Sequence, residues 1–82
     1  MNMLSIKILG PGCANCRKLE EIVRQSVQTL NVEAQIAKVT DMQEILAYDI
    51  LKTPGLVINE KLVMSGRVPA PDTVAELIRG AA

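Results

Sequence analysis

Cys13 and Cys16 are the only cysteines of the 82-residue chain, and they stand together as Cys13-Ala14-Asn15-Cys16. The unit follows Gly10-Pro11-Gly12 and opens a helix-like run. That placement brings the first sulfur to the unpaired backbone N–H groups and the positive end of a helix dipole. Thiolate is the form of cysteine that attacks disulfides, and such a site favours it. A bridge between residues three apart closes too short a loop to constrain the unfolded chain much, and small secreted scaffolds usually carry several bridges. The pair therefore reads as a redox dithiol rather than a staple.

The elements that must hold this pair follow from hydrophobic periodicity. Met3 to Leu9 alternates Leu4, Ile6 and Ile8 with Ser5 and Lys7, a strand with one buried face. From Cys13 to about Leu30, Leu19, Ile22, Val23, Val27 and Leu30 recur at helical spacing. Arg17, Lys18, Glu20, Glu21, Arg24 and Gln28 take the outer face, and Asn31 is the expected stop. Val32 to Val39 is an imperfect strand, parallel to the first across a strand-helix-strand crossover. Asp41 with Glu44 predicts a capped short helix through about Tyr48, its Met42, Ile45 and Leu46 turned inward. Asp49 to Thr53 leads to Pro54-Gly55. Leu56 to Met64 is a hairpin around Asn59-Glu60-Lys61, broken by Ser65-Gly66-Arg67. Pro71 opens a last helix with a Val74, Leu77 and Ile78 stripe, and Gly80 suits its C-terminal cap. The order is β-α-β-α-β-β-α, in one small domain spanning 1–82. Met1, Met3, Met42 and Met64 read as ordinary terminus and core.

Composition narrows the function classes. Nine basic and nine acidic residues balance, and the basic ones form no run, which argues against nucleic acid as a partner. No apolar stretch reaches the roughly 18 residues of a membrane span, and no signal-peptide pattern opens the chain. A membrane is therefore not an expected partner, and a reducing cytoplasm is the expected setting. There is no His, no nucleotide-binding glycine fingerprint and no evident carboxylate pair, so hydrolase and transferase chemistry lack support. The core must be Ile, Leu, Val, Met and Ala, because Tyr48 is the one aromatic residue.

A strand, a Cys-x-x-Cys at a helix start, a second parallel strand, Thr53-Pro54-Gly55 opening a hairpin and a closing helix together resemble the thioredoxin/glutaredoxin fold over nearly the whole chain. Gly12-Cys13-Ala14-Asn15-Cys16, Thr53-Pro54-Gly55 and Ser65-Gly66-Arg67-Val68 look most like the small thioredoxin-like redox-active disulfide proteins. The resemblance implies a minimal α/β thioredoxin-like fold, a four-stranded mixed sheet with three helices. It implies a monomeric thiol–disulfide oxidoreductase that needs no cofactor or metal beyond the Cys13/Cys16 pair. Cys13 would attack and Cys16 resolve, with Pro54 cis and facing the dithiol and the Thr53 backbone pairing with an extended substrate. Gly12, Ala14 and Asn15 would complete the substrate surface. Protein disulfides are the implied substrates, and a flavoprotein of the thioredoxin-reductase type is the implied partner.

Several residues depart from the family pattern. Ala14-Asn15 matches neither the Gly-Pro of thioredoxins nor the Pro-Tyr of common glutaredoxins, and no Trp precedes the motif. Lys7 stands six before Cys13, where thioredoxins carry a buried acid; a surface-facing lysine is the plain expectation there. Arg17, Lys18 and Arg67 read as solvated charges. Two readings compete with the oxidoreductase. One is a soft-metal carrier holding Cu(I) on the two thiolates. It is at odds with Pro11, where such domains have Met, and with a hairpin placed after a second helix. The other is a redox-sensing module that docks a partner without turnover. Structural zinc lacks ligands, since one chain offers two thiolates and no His.

Overall fold

The computed structural model describes residues 3–50 and 52–81. Met1 and the Leu51 step of the 49–53 connection lie outside the described residues. Strands β1 (Leu4–Leu9), β2 (Ala34–Val39), β3 (Gly55–Ile58) and β4 (Lys61–Ser65) form one sheet in the order β2-β1-β3-β4, with helices α1 (Ala14–Leu30), α2 (Met42–Leu46) and α3 (Pro71–Ala81). β1 runs parallel to β2 in the register Leu4↔Ala34 to Leu9↔Val39, as the crossover through α1 requires. β3 is antiparallel to both β1 and β4.

Alternation along β1 assigns the two faces. Leu4, Ile6 and Ile8, with Leu56 and Ile58 of β3, meet Leu19 and Val23 of α1 and Val74 and Ile78 of α3. On the other face Leu9 and Val57 pack against Ile45 of α2 and Ile50. A fully buried aliphatic side chain contributes about 1.5–3 kcal/mol, so the α1/α3 face holds most of the stabilisation. All four β3 residues are buried, because this strand is covered on both sides.

Local chemistry explains where the helices stop. Asn31 ends α1 in the left-handed conformation (φ 56°), and the Asn31 and Val32 N–H groups return to the last α1 carbonyls at Gln28 and Val27. Asn tolerates that conformation better than most residues. Asp41 caps α2 by accepting the Gln43 N–H at 2.9 Å. Pro71 is the first residue of α3, and the Ala70 carbonyl accepts the Val74 N–H.

Some expectations change. α2 ends at Leu46, and only Ile45 of its residues is buried; Met42 and Leu46 are more than half exposed. A five-residue helix presents one position to a sheet, and Ile50 fills the rest of that contact from the chain beyond. Met3 is also exposed, and β1 starts one residue later, at Leu4. Gly80 lies inside α3 rather than at its cap. Among the described residues no helix is long and apolar enough to cross a membrane.

Candidate functional site

The C-terminal ends of β1 and β2 and the start of β3 meet at one end of the sheet, and the cysteines sit there. Cys13 is the N-cap of α1 in extended backbone (φ −69°, ψ 169°), and its Sγ accepts the Cys16 N–H at 3.2 Å. The sulfur thus occupies the place of a capping oxygen, at the positive end of the 17-residue helix. Cys13 is exposed, whereas Cys16 is 5% exposed. The two are joined as a disulfide with Cα atoms 5.0 Å apart. Cys13 is the solvent-facing half of the disulfide and Cys16 the buried half, one helical turn behind it.

Two glycines make this approach possible for different reasons. A Cβ on Gly10 would overlap Cys16 Sγ, so the strand end can lie against the buried sulfur only without a side chain. Gly12 has open space but φ +95°, which side-chain-bearing residues rarely adopt. The Thr53 side chain lies on the same side of Gly10 as Cys16, which brings the 53–54 segment to the motif. The Thr53–Pro54 peptide is cis, Pro54 is buried, and its carbonyl accepts the Gly66 N–H at 2.9 Å. β3 begins at Gly55, paired with Ser65, so Thr53 precedes the ladder. Ala14 and Asn15 are exposed on the first turn of α1. The residues singled out in the sequence therefore gather at one end of the molecule.

The sequence profile of the family described as "Thioredoxin domain" matches residues 4–79. The chain belongs to the thioredoxin family. A thioredoxin of Methanothermobacter thermautotrophicus is 34% identical over 76 residues, covering 93% of this chain and 99% of the relative. One from Methanocaldococcus jannaschii is 34% identical over 77 residues, covering 94% and 88%. Among solved structures, the germline-specific thioredoxin Deadhead of Drosophila melanogaster superposes with a TM-score of 0.70 at 14% identity, covering 98% of this chain and 82% of that one. A malaria-parasite thioredoxin-2 gives 0.71 at 10%, covering 96% and 84%. These structural likenesses concern the fold. Thiol–disulfide exchange is the activity of this thioredoxin-family chain, and the Cys13–Cys16 disulfide is the group that supports it. Its hairpin follows α2 rather than α1, unlike the arrangement expected of a soft-metal carrier. Among the described residues no group of three or more His, Cys, Asp and Glu side chains could hold a metal ion.

Lys7 is not simply solvated. Its Nζ donates to Glu60 Oε2 at 2.7 Å and to the Tyr48 hydroxyl at 3.0 Å, and Tyr48 donates to Glu60 Oε1 at 3.0 Å. The hydrogen bond to Glu60, then that to Tyr48, raises the Lys7 pKa above the ordinary lysine range, and the same contacts lower that of Glu60. This cluster binds mid-β1 to the β3–β4 turn, away from the sulfurs. Glu20, placed on the outer face by periodicity, is instead only 16% exposed at its side chain. It faces a recess beside Cys16. The signal for it was present in the sequence, since Glu20 is four residues after Cys16 and shares its helix face.

Proposed function

We propose that Cys13 is the attacking thiolate and Cys16 the resolving thiol in reduction of protein disulfides. The observation that carries this reading is the asymmetry of the pair. Cys13 is exposed with its sulfur at the α1 N-terminus, while Cys16 is buried behind it. Cys13 attacks one sulfur of the substrate, forming a mixed disulfide and releasing the other substrate sulfur as thiolate. Cys16 then attacks Cys13 Sγ, closing the Cys13–Cys16 bond and releasing the second substrate thiolate. Two electrons pass from the dithiol to the substrate, and the two thiol protons balance the two product thiolates.

Thr53 and Pro54, with Gly12, Ala14 and Asn15, form the surface for an extended substrate segment; the position of Thr53 just before the β3–β4 ladder supports backbone pairing there. A flavoprotein of the thioredoxin-reductase type returns electrons to the disulfide. A cytoplasmic setting fits a chain whose two cysteines are both in the motif, with none left for a structural bridge.

Redox titration with thiol trapping on the parent, Cys13→Ser and Cys16→Ser tests the reading. The parent forms an intramolecular disulfide, Cys13→Ser loses disulfide turnover by about 10³-fold or more, and Cys16→Ser accumulates substrate adducts at Cys13. Stable adducts at Cys16 would reverse the roles, and a parent without an intramolecular disulfide at any potential would sink the function.

A further inference from the structure

Resolution requires Cys16 to lose its proton, although burial disfavours a thiolate. Lys7, the strand residue six before Cys13, is an ammonium committed to Glu60 and Tyr48 and accepts no proton. Beside Cys16, however, lies a recess of about 50 Å³ lined by Ile8, Gly10, Gly12, Arg17, Glu20, Lys38 and Thr40 as well as Cys16 itself. A water site needs only about 10–15 Å³; most of the recess wall is apolar, and Arg17, Glu20, Lys38 and Thr40 bring the polar side chains to its lining. Of the ionisable side chains facing it, Arg17 and Glu20 come from α1 and Lys38 from β2, while β1 contributes Ile8. Glu20 is the one carboxylate among them.

The geometry points to Glu20 as the proton acceptor for Cys16, acting through water in this recess; the inference rests on Cys16 being the resolving thiol. Glu20 is one helical turn after Cys16, about 5–6 Å away between Cβ atoms by helix geometry. Its carboxylate is fixed at the recess between two cations. Oε2 accepts from Arg24 Nε at 2.9 Å on the solvent side, and Oε1 is 3.6 Å from Lys38 Nζ. During resolution the Cys16 S–H proton passes by water to Glu20 and on to solvent. The Cys16 thiolate attacks Cys13 Sγ, the Cys13–substrate bond breaks, and the departing substrate thiolate takes its proton from solvent. Arg17 and Lys38 line the same recess and offset the negative charge on sulfur while it lasts.

A symmetric chromogenic aryl disulfide, mixed in equal amount with the reduced protein, separates the steps, because attack by Cys13 releases one coloured thiolate and resolution by Cys16 the second. Glu20→Gln is expected to leave the first phase intact and to slow the second by about ten- to a hundredfold near neutral pH. The deficit closes as pH rises past the ordinary thiol pKa of about 8.5, where hydroxide removes the proton directly. Glu20→Asp, which keeps a carboxylate, recovers part of the rate that Glu20→Ala loses. The inference is overturned if the second-phase pH profile of Glu20→Gln matches the parent, or if Glu20→Asp is no faster than Glu20→Ala. Absence of a second phase in the parent would instead remove the resolving role of Cys16, a separate failure.

Discussion

The two ends of the β1–β3 pair share backbone hydrogen bonds but differ in what is added to them. At the hairpin end, polar side chains add to the backbone contact of the Asn59 N–H with the Ser5 carbonyl at 2.7 Å: Lys7, Tyr48 and Glu60 close a hydrogen-bonded triangle, and Asn59 Oδ1 accepts the Ser5 N–H at 3.0 Å. At the dithiol end the fastening is by backbone and by missing side chains. Gly10 donates its N–H to the Val39 carbonyl, the Pro54 carbonyl accepts from Gly66, and a bare Cα at Gly10 lets Cys16 sulfur approach. Polar side chains packed around the exposed sulfur would obstruct a substrate backbone, whereas glycine and main-chain contacts leave it open. The contrast also explains why the Lys7 position belongs to stability in this chain rather than to proton transfer.

If that contrast is right, Gly10→Ala produces the largest stability loss of three substitutions. The added Cβ meets Cys16 Sγ, and overpacking of this kind costs about 1–3 kcal/mol. Denaturant unfolding of the reduced protein measures it, and an unchanged midpoint would show that the strand end yields freely. Next comes Asn59→Ala. Asn59 (φ 52°) and Glu60 (φ 65°) form a two-residue turn of the type that favours Asn at its first position. Losing the acceptor for Ser5 and the tolerance for positive φ costs about 1–2 kcal/mol. Both phases of the aryl disulfide reaction should keep parental rates, and a slowed first phase would break the separation between the ends.

The smallest effect is a pH dependence. Glu60 has a lowered pKa in the folded protein, so its contribution is present above the ordinary carboxyl range and fades as pH falls through the folded value. Lys7 has a raised one, so its contribution is present below the ordinary lysine value of 10.5 and fades as pH rises through the folded value. Both groups are solvent-accessible and the stabilisation is correspondingly small. Lys7→Met flattens both limbs of a plot of unfolding midpoint against pH while leaving disulfide exchange at Cys13 unchanged near neutrality. Limbs as steep as the parent's would assign the dependence to other groups.

Much of the dithiol end was legible in the sequence because its signals are local. A Gly-Pro-Gly turn before Cys-x-x-Cys marks a helix start, and a strand-helix-strand of this length dictates parallel pairing. The misreadings arise where a residue's environment comes from a distant segment. Met42 and Leu46 follow the helical period of Ile45, yet the inward space beside Ile45 is taken by Ile50. Gly80 continues a helix whose last turn simply runs past it. Glu20 has the period of a solvated face; its spacing from Cys16 puts it on that residue's side of α1, but the Lys38 it meets is brought there by the pairing of Ile8 with Lys38 across β1 and β2. Periodicity reports which way a side chain points from its own element, not what another element places opposite.

The hairpin carries one further consequence. Between the pairs Leu56↔Met64 and Val57↔Leu62 the register shifts, leaving Val63 as an extra residue in β4, the outermost strand on that side of the sheet. A bulge twists its strand and spoils the even spacing of the outward N–H and C=O groups. Another extended chain finds no regular template there, so the bulge guards that flank against strand-by-strand aggregation.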